Sequence, residues 1–402
     1  MCNGSIMDKL ISFSLPLMLS GILQLMFNAV DIVVVGRFSG SQALAAVGST
    51  SALINMFTNL FIGVSLGANV LAARFYASGR SKEMSETVHT SITFALISGI
   101  VMVFVGLFFS RFALELMATP SDVIDQAALY MKIYFLGMPF FMLYNYGAAI
   151  LRAVGDTKRP LFFLIAAGLI NAGLNMILVI VFHMGVAGVA IATVISQFVS
   201  CVLVLRCLYQ SDSSYQLRFS KLTLKKNHLK QIFQVGIPAG IQSTVINFSN
   251  VLLQSSVNSF GSIAMAGYTA ANNIFGFLFV AVNSVTQACM SFTSQNFGVG
   301  KWKRMDKVLW NCIILSVVVA VLLGGGAYIF GPELLRIYTK DPQVIQCGVE
   351  ILLYTTVTYF LCGLMDLFPG ALRGMGHSAV PMFLSVIGTV GTRILWIFWV
   401  FP

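Results

Sequence analysis

Leu151-Arg152-Ala153-Val154-Gly155, with Pro160 following, and Leu372-Arg373-Gly374-Met375-Gly376, with Pro381 following, are one motif written twice in the same chain. The second copy begins 221 residues after the first, and the two prolines keep that offset. It also places Gly40 on Gly261, Ala45 on Ala266, Gly79 on Gly300 and Val123-Ile124 on Val344-Ile345. Pro16 and Pro238 differ by 222, as do Asn28 and Asn250, which implies one inserted residue between that region and the rest. Two copies of one ancestral unit account for all of these matches.

The sequence between the motifs says what kind of unit was copied. Of 402 residues, 57% are hydrophobic and only 9% are charged, against roughly 45–50% and about 25% in soluble domains. A soluble core cannot hide that much apolar surface, whereas a helix crossing a bilayer needs about 20 mostly apolar residues. Eleven such segments can be marked, at 10–36, 43–73, 88–110, 127–151, 161–182, 187–208, 229–258, 264–295, 308–330, 346–372 and 381–402. The longest connection, Tyr209 to His228, carries Arg218, Lys221, Lys225 and Lys226 and divides the chain near its middle. The expected organisation is an N-terminal lobe at 1–208, a cytoplasmic linker at 209–228 and a C-terminal lobe at 229–402. The fold class is an all-α polytopic membrane protein of two repeated six-helix bundles. An even number of helices makes both copies enter the membrane in the same direction, so a pseudo-twofold along the membrane normal is expected. Nothing in the second half matches 187–208, and a twelfth helix missing by truncation at Pro402 is the expectation drawn from the repeat, the alternative being eleven spans with an extracellular C-terminus.

The formal charge of +10 sits in short segments between apolar runs rather than on one polar domain, which excludes nucleic acid as a partner. Loop charge in such a chain reports topology, because cytoplasmic loops hold the excess of Lys and Arg. A cytoplasmic N-terminus puts Lys9, Arg74, Arg80, Lys82, Arg152, Lys158, Arg159, the 206–230 group, Lys301, Lys303, Arg304, Lys307 and Arg373 inside. Only Arg37, Arg111, Lys132, Arg336 and Lys340 are left outside. The N-terminus lacks a basic start and a cleavage site, so its first apolar stretch stays as a helix of a multi-pass inner-membrane protein. Seven cysteines without a CxxC pair, four histidines without HExxH and a Gly324-Gly325-Gly326 run without strand or lysine leave no metal, redox or nucleotide site. No catalytic pair is found, so no enzyme and no cofactor is expected. Gly63-x-x-x-Gly67 and Gly370-x-x-x-Gly374 suit close packing of helices.

Charges within spans cost on the order of 2.5–3.5 kcal/mol even on insertion scales, so each survivor needs a reason. Asp31 is the only acid within a span of the first half, about 9 Å in depth from Arg37 at the outer end of its helix. In a poorly hydrated cleft it can take or release a proton, and with other oxygen ligands it can hold Na⁺. The structural alternative pairs it with Arg37. Asp366 lies about two turns from the cytoplasmic Arg373, and Arg393 differs from Asp366 in depth by about 9 Å, which a long side chain could partly bridge; a structural salt bridge and a substrate contact are equal alternatives. Gln24, Asn28, Tyr130, Asn145, Asn171, Asn175, Thr193 and Gln197 recur within first-half spans. Gln24 shares a helix face with Asp31, and Asn171 shares one with Asn175. Asn175 lies at nearly the depth of Asp31, which predicts a shared site. The second half offers Gln242, Asn247, Asn250, Gln254, Asn272, Asn273, Asn283 and Gln287, amides without an acid before Glu350. Ions, if coupled in one half, belong to the first.

Asn28-Ala-Val-Asp31 running into Gly36-Arg37, then Ala43-Leu-Ala-Ala46-Val-Gly48, Gln295-Asn-Phe-Gly-Val-Gly300 and the twin Leu-Arg-x-x-Gly motifs together resemble the multidrug and toxic compound extrusion (MATE) family. The resemblance covers essentially the whole chain. It implies two lobes around a central cleft and export of organic cations against entry of H⁺ or Na⁺. Asp31 matches the family's first-helix acid, and Gln24, Tyr130, Asn145, Asn171, Asn175 and Thr193 fall where members place a first-lobe cation network, with Na⁺ held at Asp31, Asn171 and Asn175 if sodium is the ion. Some sodium-coupled members carry a glutamate in the seventh helix where this chain has Ile246 and Asn247, and Asn175 stands where some carry a second acid. The substrate side is expected at Asn28, Asn247, Asn250, Gln254, Asn272, Gln287 and Asp366. The expected function is a monomeric secondary antiporter, in contact with membrane lipid, that exports small cationic amphiphiles. A lipid-linked precursor flippase of the same superfamily shape is the alternative, and it would be expected to line its cleft with several basic residues.

Overall fold

The computed structural model of the chain describes residues 1–117, 119–258 and 260–399, and those residues contain helices and turns but no strand. α1 (Ile6–Phe38), α2 (Ser41–Ala77) and α3 (Ser81–Leu116) are long single helices. α4 (Ile124–Leu136) and α5 (Met138–Ala153) meet at a bend of 48°. Pro139, in the first turn of α5, has no N–H to continue the ladder from α4, and Gly137 fills the break. α6 (Lys158–Asn175) runs into a π-helical segment, Met176–Val181, and α7 (Gly185–Tyr209) returns beside it. Between them His183 takes a φ of 52°, a left-handed value that costs a non-glycine residue about 1–2 kcal/mol. A 3₁₀ turn, Phe219–Lys221, precedes α8 (Lys226–Asn258). α9 (Ser262–Gly298), α10 (Trp302–Ile329), α11 (Gly331–Arg336) and α12 (Pro342–Gly374) follow. α13 (Ala379–Ser385), a second π segment at Val386–Gly391 and α14 (Thr392–Trp399) complete the order.

Helix stands over every one of the eleven expected segments, and residues 400–402 of the last lie outside the described residues. By length and composition nine of the described helices can cross a bilayer, or ten if α4 and α5 form one bent span. α8 is not among them. The repeat is visible in the backbone as well as in the motifs. Gly40 and Gly261, at φ 89° and 96°, open the turns before α2 and α9. Gly155 and Gly376, at φ 102° and 93°, close the turns after α5 and α12. Only glycine takes these values without strain, so both halves keep it where the turn needs it.

Contacts gather the helices into two units. One holds Met1–Ile22 with the chain from Pro238 onward, and the other holds Leu23–Ile237, so α1 and α8 are each divided. In the Leu23–Ile237 unit the core draws on Val35, Ala46, Leu71, Val88, Met131, Tyr146 and Val204, from six helices. Helices in lipid gain little hydrophobic free energy by meeting, so close contact through small residues matters more. A Cβ on Gly67 would stand 2.1 Å from the Ile232 carbonyl oxygen, and one on Gly236 would stand 2.5 Å from Val64 Cα, so α2 and the start of α8 touch backbone to backbone. In this unit the segment before α8 is laid over α3. The Arg218 amide donates to His89 Nε2 at 3.1 Å and the Lys225 amide to Thr90 Oγ1 at 3.2 Å.

The second unit packs by the same means. Phe13 of α1 meets Phe292 of α9 edge-on, with ring centroids 5.6 Å apart. A Cβ on Gly374 would lie 2.7 Å from the Met290 carbonyl oxygen, and one on Gly370 2.7 Å from Thr286 Cγ2, which seats α12 on α9. The segment before α1 is tied down as its counterpart before α8 is. Lys301 Nζ donates to the Cys2 carbonyl at 3.0 Å and to Asn3 Oδ1 at 2.8 Å, and Arg304 donates to the carbonyls of Met1 and Gly4.

Candidate functional site

The register of α1 against α6 is set by a glycine. A Cβ on Gly168 would fall 1.8 Å from Phe27 Cε2, so the ring of Phe27 lies against the bare backbone of α6. One turn on from Phe27 is Asp31, and two turns on from Gly168 is Asn175, so both helices bring a polar residue to the same level on the same face. There Asn175 Nδ2 donates to Asp31 Oδ1. Asn175 is fully buried, at 0% exposure, and Asp31 is half-buried. The same Nδ2 also donates to Asn171 Oδ1 at 3.2 Å, and Asn171 Nδ2 makes a long contact of 3.5 Å with Thr193 Oγ1 on α7. Thr193 also lies near Asp31, and its hydroxyl donates to the Val189 carbonyl at 3.0 Å.

One acceptor in this cluster is left over. Asn175 Oδ1 is buried beside the carboxylate and has no hydrogen-bond partner among the described residues. Buried polar atoms without partners are uncommon, because leaving one unmet costs about 1–3 kcal/mol. An unmet oxygen next to a carboxylate oxygen is suited to a cation or to a proton donor. Asp31 forms no ion pair with Arg37 among the described residues, so its neighbours are amides and a hydroxyl.

Of the expected cation-site residues, Asp31, Asn171, Asn175 and Thr193 form one network. Tyr130 of α4 adjoins it, buried and near enough for its ring to interact electrostatically with Asp31. Gln24 and Asn145 are not brought into it. Gln24 is exposed, and Asn145 Nδ2 donates to the Phe141 carbonyl of its own helix at 2.8 Å. Sequence reasoning missed Tyr134, which is also near Asp31 and whose ring lies tilted to that of Tyr130, with centroids 6.2 Å apart. Its spacing of one turn from Tyr130 was the available signal.

The residues expected on the substrate side fall into separate neighbourhoods. Asn28 is exposed on α1, and Asn247 and Asn272 are exposed on α8 and α9. Gln254 is half-buried. Asn250 Oδ1 accepts from Arg393 Nη1 at 2.7 Å, and Ser249 Oγ accepts from the same nitrogen at 3.2 Å. Arg393 therefore faces α8, and no ion pair joins it to Asp366 among the described residues. Asp366 instead feels the charge of Arg373, seven residues along the same face of α12. Arg373 Nη2 donates to Gln242 Oε1 at 2.6 Å, and Gln242 Nε2 to Ser385 Oγ at 2.9 Å, which ties α12, α8 and α13 together. Gln287 Nε2 donates to Asn283 Oδ1 within α9 at 3.0 Å.

Comparison with known proteins gives the same twofold pattern. The MatE family profile matches residues 16–177 and matches again at 238–399. The chain is 28% identical over 391 residues to a probable multidrug resistance protein of Bacillus subtilis, YoeA, covering 95% of this chain and 84% of that one. It is 26% identical to the probable multidrug resistance protein NorM of Thermotoga maritima, covering 97% and 84%. Among solved structures, an outward-facing multidrug resistance MATE family transporter of the MOP superfamily superposes with a TM-score of 0.92 at 20% identity, covering 98% of this chain and 89% of that one.

Proposed function

The chain belongs to the MatE family, and from that premise we propose that it is a secondary antiporter that exports small, cationic amphiphilic compounds in exchange for H⁺ or Na⁺. Relatives described as multidrug resistance proteins, similar over nearly the whole chain, support the export of varied small molecules. The single observation that carries the coupling role is the Asp31–Asn175 hydrogen bond with the unmet Asn175 Oδ1 beside it.

The mechanism follows from what that pair lacks. An ionised Asp31 accepts hydrogen bonds only, and Asn175 Nδ2 supplies one. A proton arriving at Asp31 gives the carboxyl an O–H to donate, and Asn175 Oδ1 is the acceptor that has no donor. Na⁺ arriving at the same place would be shared between the same two oxygens, with Asn171 Oδ1 one helical turn away. Either load changes which atoms of Asn175 are engaged, and so changes how α1 is held against α6. Asn171 and Thr193 pass that change to α7. Substrate contact is assigned to the accessible amides Asn28, Asn247 and Asn272, to Asn250, Gln254 and Gln287, and to Asp366. The Lys and Arg distribution supports a cell-membrane protein with its N-terminus in the cytoplasm.

Transport in everted membrane vesicles tests this directly. Asp31→Asn keeps the shape and removes the charge, and ion-driven export of a cationic dye is expected to fall to background, while dye binding to the purified protein persists. Full ion-driven export by Asp31→Asn would remove Asp31 from the mechanism. Running the assay with a Na⁺ gradient and with a pH gradient alone separates the two ions.

A further inference from the structure

The polar ends of α6 and α7 enclose a groove that the transport reading does not use. It is about 640 Å³ in volume and is walled by Arg159 and Phe163 of α6, by Leu203 and Arg206 of α7, and by the start of the segment that follows α7. That volume is within the roughly 300–1,000 Å³ of small-molecule sites. α6 with its π extension and α7 are consecutive apolar spans, Lys158–Val181 and Gly185–Tyr209, joined by a short turn. The start of one and the end of the other therefore lie at the same membrane face, at the level where acyl chains give way to headgroups.

The charge of the groove is mostly positive and partly unspent. Arg206 is exposed, and its guanidinium has no hydrogen-bond or ion-pair partner among the described residues. Arg159 is held in place by Asp156 Oδ2 at 3.2 Å from Nε and by Cys207 Sγ at 3.5 Å from Nη1, which leaves Nη2 free. Lys158, exposed and next to Arg159 in the chain, stands outside the lining. Against the two arginines stand Asp156, already committed to Arg159, and Asp212 on the exposed lip. Gln210, Ser211 and Ser213 supply further donors. A guanidinium fork is shaped for phosphate oxygens, and hydroxyl and amide groups suit the polyol beyond them.

The apolar surface below says where the phosphate comes from. Phe162 and Phe163 lie one helical turn from Arg159 in the membrane direction, and Val202 and Leu203 lie one turn from Arg206. Phe162 is 63% exposed and Val202 44%, so the groove opens onto an apolar face at the depth of acyl chains. A soluble phosphate has no use for that face.

We propose that this groove is a binding site for the headgroup of an anionic phospholipid of the adjoining leaflet, with Arg206 and Arg159 on the phosphodiester and the acyl chains running down α6 and α7 past Phe162 and Val202. Basic pockets between spans at a membrane face hold such headgroups. Cys207, at the back of the groove, serves as a built-in reporter.

The test uses the full chain in nanodiscs of phosphatidylcholine with and without phosphatidylglycerol. Native mass spectrometry of the released protein is expected to show a phosphatidylglycerol molecule retained in preference to phosphatidylcholine, and Arg206→Ala, which removes no hydrogen bond or ion pair among the described residues, is expected to reduce that retention several-fold. Maleimide modification of Cys207, read on its peptide, is expected to slow several-fold in phosphatidylglycerol discs and to recover in Arg206→Ala. Equal retention by wild type and Arg206→Ala, or no preference for phosphatidylglycerol, would overturn the proposal. Protection of Cys207 by glycerol 3-phosphate or inorganic phosphate in phosphatidylcholine discs would assign the groove to a soluble anion instead. None of these readouts depends on transport, so the site can stand or fall apart from the coupling role of Asp31.

Discussion

Asn175 has two amide hydrogens and one carbonyl oxygen to place in a fully buried position. Its nitrogen serves both Asp31 and Asn171, and its oxygen serves nothing among the described residues. Asn175→Leu would leave a half-buried carboxylate without its donor, a loss of roughly 1.5–3 kcal/mol for a hydrogen bond to a charged group. Since about 1.4 kcal/mol is a factor of ten, initial rates of ion-driven export are expected to fall by about tenfold or more, with protein still inserted in the membrane. Wild-type rates in this variant would mean that Asp31 works without its partner. The meeting of these two residues was legible in the sequence because depth can be counted in helical rises from each end of a span. The exclusion of Gln24 and Asn145 was not, since a shared face on one helix does not say which neighbour that face meets.

At the level of helices, the contacts that cannot give are those against backbone. Gly67→Ala drives a methyl into the Ile232 carbonyl, an overpacking that costs typically 1–3 kcal/mol. Gly48, on the same helix, would meet nothing within 4 Å of an added Cβ. The thermal unfolding midpoint of purified Gly67→Ala is expected to drop by several degrees, and that of Gly48→Ala to stay level or rise. Because alanine favours helix over glycine at both positions, a matched drop in both would mean that the α2–α8 contact is not what sets the difference. Hydropathy marks spans because lipid leaves no other way to satisfy a backbone, but it averages over bends. A single apolar segment at 127–151 therefore gave no sign of the 48° break between α4 and α5, although Met138-Pro139 after a glycine was there to be read. Partner choice between helices was equally hidden. Arg393 and Asp366 differ in depth by about 9 Å, a gap a long side chain could partly bridge, yet Arg393 turns to Ser249 and Asn250 because α8 presents acceptors to it.

For the molecule as a whole, the repeat carried most of the architecture. An offset of 221 residues recurs in motifs and in left-handed glycines, and the two matches to the MatE family lie 222 residues apart. What the repeat could not show is that α1 and α8 are each divided between two contact units, because a duplication sets which helices exist and not which neighbours they choose. Sidedness remains a statement about charge, and it is open to a direct check. Ser220 is exposed in the segment between α7 and α8. In Ser220→Cys, an impermeant maleimide is expected to label that position in everted vesicles and to leave it unlabelled in intact cells. The reverse pattern would invert the topology.

The π segment after Asn175 holds a surplus residue in its turns, with amides reaching back five positions instead of four. Such a surplus can migrate along a helix by trading one carbonyl for the next, without a net loss of bonds. Each residue the surplus passes swivels by about 100°, the angular pitch of one residue, while the helix on either side keeps its register. The stretch from Met176 to the left-handed His183 is thereby able to pivot about its own axis while Asn175 stays on Asp31, and a one-residue deletion there would freeze that freedom without touching a single polar side chain.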